Sequence, residues 1–413
     1  MSEIISELQA EVRQLRTQLQ HCELQVQQLQ SQLQHTQQEL KQARTQCREF
    51  HIKLKQARAK VVAIQSSKFW KIRQRWLQFK KSLKFFISMT VPSESSHRER
   101  SMAELQSKPE AISLLTNTRD ITLLKKIETT KLIDDWNTNL RIDITDELKG
   151  HKVVYLYQCN QTKLRFFLPL DVAGSSQLYE QLEKFDWYYM PHKWEHDVAI
   201  QDLQGCQYIL EIGAGRGTFI ERLRGDMGID AQGIELNQSA LQYAHERNIP
   251  VEQFDLYDFA QQQAGHFDAV CSFQVLEHVS DPKGFLEASI QLLKPGGKLI
   301  LAVPNFESFP KHYQKNLLDQ PPHHITQWCH RTFKSLPSLF PLKIERFRVE
   351  PLASYHVDWY IEIQESRLSE HHPLQTLMSR MLHRVVKPIL HRSAFVRSLI
   401  TGHTLYVVFL KLE

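Results

Sequence analysis

The strongest constraint on this chain is a rank of short apolar runs between residues 207 and 305, each ending in a chemically distinctive residue. Residues 207–212, 231–236, 251–254, 266–273 and 298–303 read as strands. Amphipathic stretches lie between them, one with Phe219, Ile220 and Leu223 on a single helical face and another over residues 282–293. Strand–helix alternation at this spacing folds as a parallel, doubly wound sheet. Such sheets bind ligands at the carboxyl ends of their strands. There this sequence places Glu211 with Gly213, Gly215 and Gly217, then Glu235, then Asp255 with Leu256, then Gln274-Val275-Leu276-Glu277-His278, then Pro304-Asn305.

The glycines stand at GxGxG spacing after the first strand, and Thr218 breaks the GxGxxG dinucleotide pattern. Glycines at a strand-to-helix turn let the backbone approach a ligand and present its amides. Glu211 narrows the ligand further. A carboxylate directly before the loop repels a pyrophosphate and suits a cationic ligand, such as one with an α-amino group and a sulfonium. Glu235, 24 residues after Glu211, ends the second strand, where an acid can take ribose hydroxyls.

LEIGAGRG, GIELN, FDLYDF, FDAVCSFQVLEHV and LKPGGKLILAVPN together resemble the class I S-adenosylmethionine-dependent methyltransferases, most closely the branch that contains ubiquinone O-methyltransferase. The resemblance is close over roughly residues 176–310 and extends towards the end of the chain. It implies a Rossmann-like, seven-stranded α/β sheet that binds S-adenosyl-L-methionine. It implies cofactor contacts from Glu211, Gly213, Ala214, Gly215 and Gly217 to the methionine moiety. Glu235 and Leu236 would lie at the ribose, Asp255 and Leu256 at the adenine, and Gln274 near the methyl group. A degenerate, non-binding copy of the fold is the alternative; the intact Glu211, glycines and Glu235 argue against it. Residues 344–364 fit a strand and helix flanking the sheet. Residues 402–410 read as a final edge strand, like the closing antiparallel strand of this family.

Methyl transfer from a sulfonium needs alignment, exclusion of water and, for a hydroxyl acceptor, removal of a proton. The candidate catalytic residues are Glu277 and His278 after the fourth strand, and His323 and His324 in Pro321-Pro322-His323-His324, which resembles a PPHH element of related bacterial methyltransferases. Each has a hydrogen-bonded structural role as its rival reading. A metal site from His323, His324, Cys329 and His330 lacks a second ligand cluster in the sequence, so no metal is assigned.

The N-terminal part differs in kind. From Ile5 to Ile64, apolar or tolerated positions step by three and four without a break, through Leu8, Val12, Leu15 and Leu19 to Leu54, Ala57 and Val61. This 3.5-residue period over residues 1–65, free of Gly and Pro, predicts a coiled coil that self-associates; a single long polar helix is the alternative. Cys22 and Cys47 lie on its seam as small core residues. Residues 66–90 form a new amphipathic stretch. Lys68, Lys71, Arg73, Arg75, Lys80, Lys81 and Lys84 face Phe69, Ile72, Trp76, Phe79, Leu83 and Phe86. Over residues 66–88 this suits either an anionic membrane surface or packing on the protein itself. Segregation of the aromatics to one face argues against nucleic acid. SKFWKIR also resembles a stretch that follows coiled coils in some bacterial enzymes of surface-polysaccharide assembly.

Residues 91–110 read as a linker. Residues 111–190 read as an accessory region, helical and partly irregular to 150, then a β-hairpin of 153–158 and 163–168, then a helix over 176–200. Residues 191–413 are the expected methyltransferase domain, with a basic helical insertion at about 365–400 that holds Arg380, Arg384, Lys387, Arg392 and Arg397. That insertion is either a polyanion or membrane contact or a solvated face. Residues 1–90 hold 16 Lys+Arg and 6 Asp+Glu, a balance of +10. Taken from the totals of 51 and 46, this leaves 35 and 40, a balance of −5, for the remainder. Low Gly and Pro counts, 14 and 16, exclude collagen-like and wholly disordered classes. Six cysteines with no CxxC pair exclude a disulfide scaffold. The absence of a signal-like start and of an apolar run of about 18 residues predicts a cytoplasmic protein, peripheral at a membrane if residues 66–88 bind one.

Three functions follow as expectations: a methyltransferase acting on a sugar or related acceptor in surface-glycan assembly, one acting on a small metabolite or lipid quinone, and a coiled-coil scaffold with a non-catalytic methyltransferase fold.

Overall fold

In the computed structural model, residues 111–185, 188, 190, 192–313, 316–368 and 375–413 are described. The expected coiled coil, basic helix and linker all lie outside the described residues. Eleven strands are described: β1 (Ile121–Glu128), β2 (Val153–Cys159), β3 (Arg165–Leu168), β4 (Tyr208–Ile212), β5 (Asp230–Ile234), β6 (Val251–Glu252), β7 (Phe267–Phe273), β8 (Leu293–Pro304), β9 (Thr326–Gln327), β10 (Leu342–Pro351) and β11 (Thr401–Lys411).

Seven of these form one sheet in the order β10-β11-β8-β7-β4-β5-β6. β4 pairs parallel with β5 and β7, β5 with β6, and β7 with β8. β11 runs antiparallel between β8 and β10. The central strands are apolar almost throughout because helices cover both faces. One face buries Leu210, Val270, Leu299, Leu301 and Phe409; the other buries Ile209, Ala269, Cys271, Ile300 and Val408. The strand order reverses at β4, from which the chain proceeds first to β5 and β6 and then back to β7 and β8. The loops after β4 and β7 therefore open beside one another at the switch point of the sheet.

The closing strand corrects one expectation. β11 is interior, with Leu405, Tyr406, Val407, Val408 and Phe409 fully buried. A strand buried on both faces belongs between neighbours, and the half-exposed β10, rich in Lys and Arg, takes the edge instead.

A second, antiparallel sheet runs β1-β2-β3-β9. The expected hairpin is present as β2 and β3, with Lys163 in the left-handed region of the turn at φ 64°. β1 corrects the helical reading of its stretch. ITLLKKIE shows no clean alternation because almost all of its side chains are exposed, and its pairing with β2 defines it. The helix Thr129–Leu140 follows and buries Leu132 and Trp136 against Ile144, Leu148, Phe167 and Leu178. The helix expected over 176–200 is two helices, Ser176–Leu182 and Trp194–Asp202.

β9 comes from far along the chain, beyond the PPHH segment, so Ser107–Glu413 forms one unit. Ile325 is the stitch between the sheets: its N–H donates to the Glu277 carbonyl at 2.9 Å, and its own carbonyl accepts from Phe167 N–H at 2.9 Å. Thr326 Oγ1 donates to the Leu276 carbonyl and accepts from the Trp328 indole N–H.

Residues 375–397 are helical in four short pieces, including a π-helical turn at Leu382–Val386. Among the described residues, no helix is long and apolar enough to cross a membrane.

Leu301 sits on β8 with no exposed surface. Leu301→Ala is expected to destabilise the protein by about 3 kcal/mol through lost burial and a residual cavity. Chemical denaturation should show this; a cost below about 1 kcal/mol would mean that the β8 layer is not packed as described.

Candidate active site

β4 ends in Glu211, which is 3 % exposed. Its Oε2 has no hydrogen-bond partner. Burial pushes its carboxyl well above the usual range; Lys193 opposes the rise and Glu235 adds to it. The chain then turns at Gly213, whose φ is +72° and where a Cβ would run into Val275 Cγ2. At Gly217, φ is +73° and a Cβ would lie 2.7 Å from Ile249 Cγ2. Both positions need glycine. The N–H groups of Gly213 and Ala214 donate to the Ile234 carbonyl at 2.9 and 3.1 Å, which ties the loop to the end of β5.

Glu235 then locks the turn from the other side. Its Oε2 accepts from Gly215 N–H at 2.7 Å, and its Oε1 accepts from Leu236 and Asn237 N–H at 2.7 and 2.9 Å. Asn237 caps the helix Gln238–Glu246 and also donates to Glu183.

Glu211, Gly213, Ala214 and Gly215 line one cavity of about 260 Å³. The remaining predicted cofactor residues stand at the same end of the sheet, outside that cavity. Asp255 Oδ1 accepts from Tyr257 and Asp258 N–H and so caps the helix Leu256–Gln262. Leu256 packs at the core edge, and Leu236 is exposed. Gln274 sits at φ +58° and donates from Nε2 to Glu195 Oε1 at 3.2 Å.

The same cavity is lined by residues that the strand-end motifs do not reveal: Met190, Lys193, His196, Arg216, Thr218, Tyr243 and Phe273. His196 is wedged against Phe219 and Phe273 at centroid distances of 4.8 and 5.1 Å, and burial holds its ring neutral. It comes from the helix Trp194–Asp202, where HKWEHD gives no positional signal of its own. Arg216 lies over the Tyr243 ring at 5.1 Å.

The candidate catalytic residues converge. Glu277 and His278 follow β7, and the PPHH segment brings His323 and His324 onto them. Ring centroids are 4.7 Å apart for His278 and His323, 4.9 Å for His278 and His324, and 4.5 Å for His323 and His324. Tyr179 packs on His278 at 5.4 Å. Burial pushes His278 down to about 4 and His323 to about 3, and holds His324 well below the ordinary range, so all three rings are neutral at pH 7. Burial raises Glu277 to about 8, and neither of its oxygens has a hydrogen-bond partner. Cys329 and His330 stand apart from this group: Cys329 Sγ meets Thr332 Oγ1, and His330 packs on Phe347 at 4.3 Å.

The buried, unpaired Glu211 carboxylate tests the expected ligand. A ligand that brings an ammonium group to it relieves the burial cost, and one that brings a phosphate aggravates it. Gly213, Ala214 and Gly215 line the cavity, so a ligand there lies against backbone. An S-adenosylmethionine-like molecule meets both conditions.

Residues 160–340 match a family model described as a methyltransferase domain. The chain is 32 % identical over 112 residues to the ubiquinone biosynthesis O-methyltransferase of Acinetobacter baumannii strain AYE, covering 25 % of this chain and 46 % of that protein. It is 34 % identical over 121 residues to the enzyme of the same name from Xanthomonas oryzae pv. oryzae strain PXO99A, covering 28 % of this chain and 50 % of that protein. The chain thus spans about half the length of these curated relatives. Among solved structures, a SAM-dependent methyltransferase from Archaeoglobus fulgidus aligns at 21 % identity and TM-score 0.36, over 58 % of this chain and 95 % of that one. Residues 160–340 thus match a methyltransferase domain, and the sheet that holds them is Rossmann-like.

Glu211 also generates a pH prediction. Its folded-state pKa is raised above the ordinary 4.5, so its contribution to stability is whole below that pH and is lost as pH rises through the folded value. Glu211→Gln should therefore be more stable than the parent at pH 8 and equal to it near pH 4, as read by thermal melting without ligand. A variant no more stable at pH 8 would contradict the buried, unpaired carboxylate.

Proposed function

We propose that this protein transfers a methyl group from S-adenosylmethionine to a hydroxyl of a sugar or related acceptor in surface-glycan assembly, at the cytoplasmic face of a membrane. The observation that carries the methyl-transfer reading is the unpaired Glu211 carboxylate in the cavity beneath the glycine loop. When bound, the cofactor supplies a methyl group on a cationic sulfur, open to in-line attack. Glu211 would hold the ammonium end, beside the backbone of residues 213–215. Glu235 takes the ribose hydroxyls, and Asp255 with Leu256 flanks the adenine. Gln274, fixed by Glu195, borders the reacting centre. The Glu277, His278, His323 and His324 group handles the acceptor proton. Its neutral imidazoles each keep a lone pair, and its burial keeps water away.

Two sequence features and one surface support the membrane-side glycan reading. The heptad pattern of residues 1–65 suits self-association, and the SKFWKIR stretch with its basic aromatic face over residues 66–88 suits an anionic membrane. In the described part, Leu377, Met381, Phe395 and Leu399 are exposed beside Arg380, Arg384 and Arg392, on a segment with no acidic residue from 374 to 400. Exposed apolar side chains among cations are the composition of an interfacial helix.

A lipid quinone is the second acceptor reading, favoured by the names of the curated relatives. The two separate in one assay with labelled cofactor. Label should enter a sugar-containing acceptor as an acid-stable ether. Label in a demethylated quinol alone would replace the glycan reading, and label in neither would leave the non-catalytic scaffold. With an active acceptor in hand, His278→Asn should lower kcat about a hundredfold or more while cofactor affinity changes little. An unchanged kcat would remove the cluster from proton handling.

A further inference from the structure

We propose that His278, His323 and His324 form a binding site for one divalent transition-metal ion of the zinc class. One nitrogen from each ring lies within 4.8 Å of the others. Nδ1 of each ring is already engaged. His278 Nδ1–H donates to the His323 carbonyl at 2.6 Å, His323 Nδ1–H donates to the Leu318 carbonyl at 2.8 Å, and His324 Nδ1 meets Asp319 Oδ1 at 3.2 Å. This is the outer-shell pattern that orients metal-binding imidazoles: carbonyls and a carboxylate hold one nitrogen and leave Nε2 with its lone pair. His323 Nε2 is buried with no partner.

Charge points the same way. Half-buried Asp319 lies against His324, and Glu277 Oε1 lies 3.9 Å from His278 Nε2, with both Glu277 oxygens lacking a hydrogen-bond partner. A cation held by the three imidazoles would favour the ionised form of both neighbouring carboxyl groups. Imidazole ligands favour zinc, copper and nickel over magnesium or calcium, which prefer oxygen. A tetrahedral ion about 2.1 Å from each nitrogen sets them roughly 3.4 Å apart, so the rings would close by about an ångström on binding. Two of the ligands come from the PPHH segment and one from the end of β7, so the ion would pin that segment to the methyltransferase sheet.

The site takes up the imidazole lone pairs of the cluster to which the proposed function gives the acceptor proton, so with the ion bound that proton would fall to Glu277; the site itself rests on ring geometry and unpaired atoms. Its test therefore reads metal directly. The full-length protein, stripped with a chelator, is titrated with zinc against a chromophoric competitor, and cobalt uptake is followed by its visible absorption. One equivalent of zinc per chain is expected, with a cobalt spectrum of tetrahedral type. His324→Asn and His278→Asn should each weaken zinc binding about tenfold to a hundredfold or more. His391→Asn, on the helix Lys387–Arg392, should leave it unchanged. Circular dichroism and S-adenosylmethionine affinity monitor folding in every variant. The proposal is overturned if the wild-type protein takes up no stoichiometric zinc. It is equally overturned if uptake persists in folded His278→Asn and His324→Asn, which would place the metal on other histidines. Loss of methyl transfer with zinc uptake intact would count against the proposed function alone.

Discussion

Five parallel strands buried on both faces leave only their ends available for chemistry. β4, β7 and β8 are buried without a break over Ile209–Ile212, Ala269–Phe273 and Leu299–Pro304. The reversal of strand order at β4 then places the ends of β4 and β7 side by side, with Glu211 near the end of β4 and Glu277 just after β7. The sheet therefore dictates where the site lies as well as how the domain folds. The accessory sheet adds the third wall. Through Ile325 and Thr326 it holds the PPHH segment against the end of β7.

Unsatisfied polar atoms concentrate at this one end of the sheet. Glu211 Oε2, both Glu277 oxygens, His196 Nδ1 and His323 Nε2 are all buried without partners. Trp136 Nε1, Arg222 Nη1, Ser308 Oγ and His356 Nδ1 are also unpartnered, whereas Glu350 accepts from Thr404 and Tyr355, and Tyr406 donates to Asp202. Each unpaired group costs stability in the ligand-free protein, by roughly 1–3 kcal/mol for an ordinary hydrogen-bonding group. Such a cost persists where a ligand recovers it, and the stability–activity trade-off is thereby written into Glu211.

Much of this was legible in the sequence because the relevant signals are local. A glycine forced to φ +72°, an acid before it and another at the next strand end all follow from chain direction and turn chemistry. What escaped notice depends on distant partners. β1 reads as part of a helical stretch because its exposed side chains carry no strand period. β9 is two residues long and exists only through its pairing with β3. β11 reads as an edge strand until β10 is seen outside it. His196 and Lys193 reach the cavity from a short helix whose sequence carries no motif, and the meeting of His278 with His323 requires the chain to fold back across 45 residues. The seam of residues 1–65 lies outside the described part of the molecule.

The central claim is that the cavity at Glu211 binds S-adenosylmethionine through that carboxylate. Calorimetric titration of the full-length protein and of Glu211→Ala tests it most directly. Saturable one-site binding to the wild type, weakened at least about tenfold in the variant, corresponds to a loss of about 1.4 kcal/mol or more and supports the account. Absence of binding at millimolar cofactor, or equal affinity in the two proteins, would contradict it.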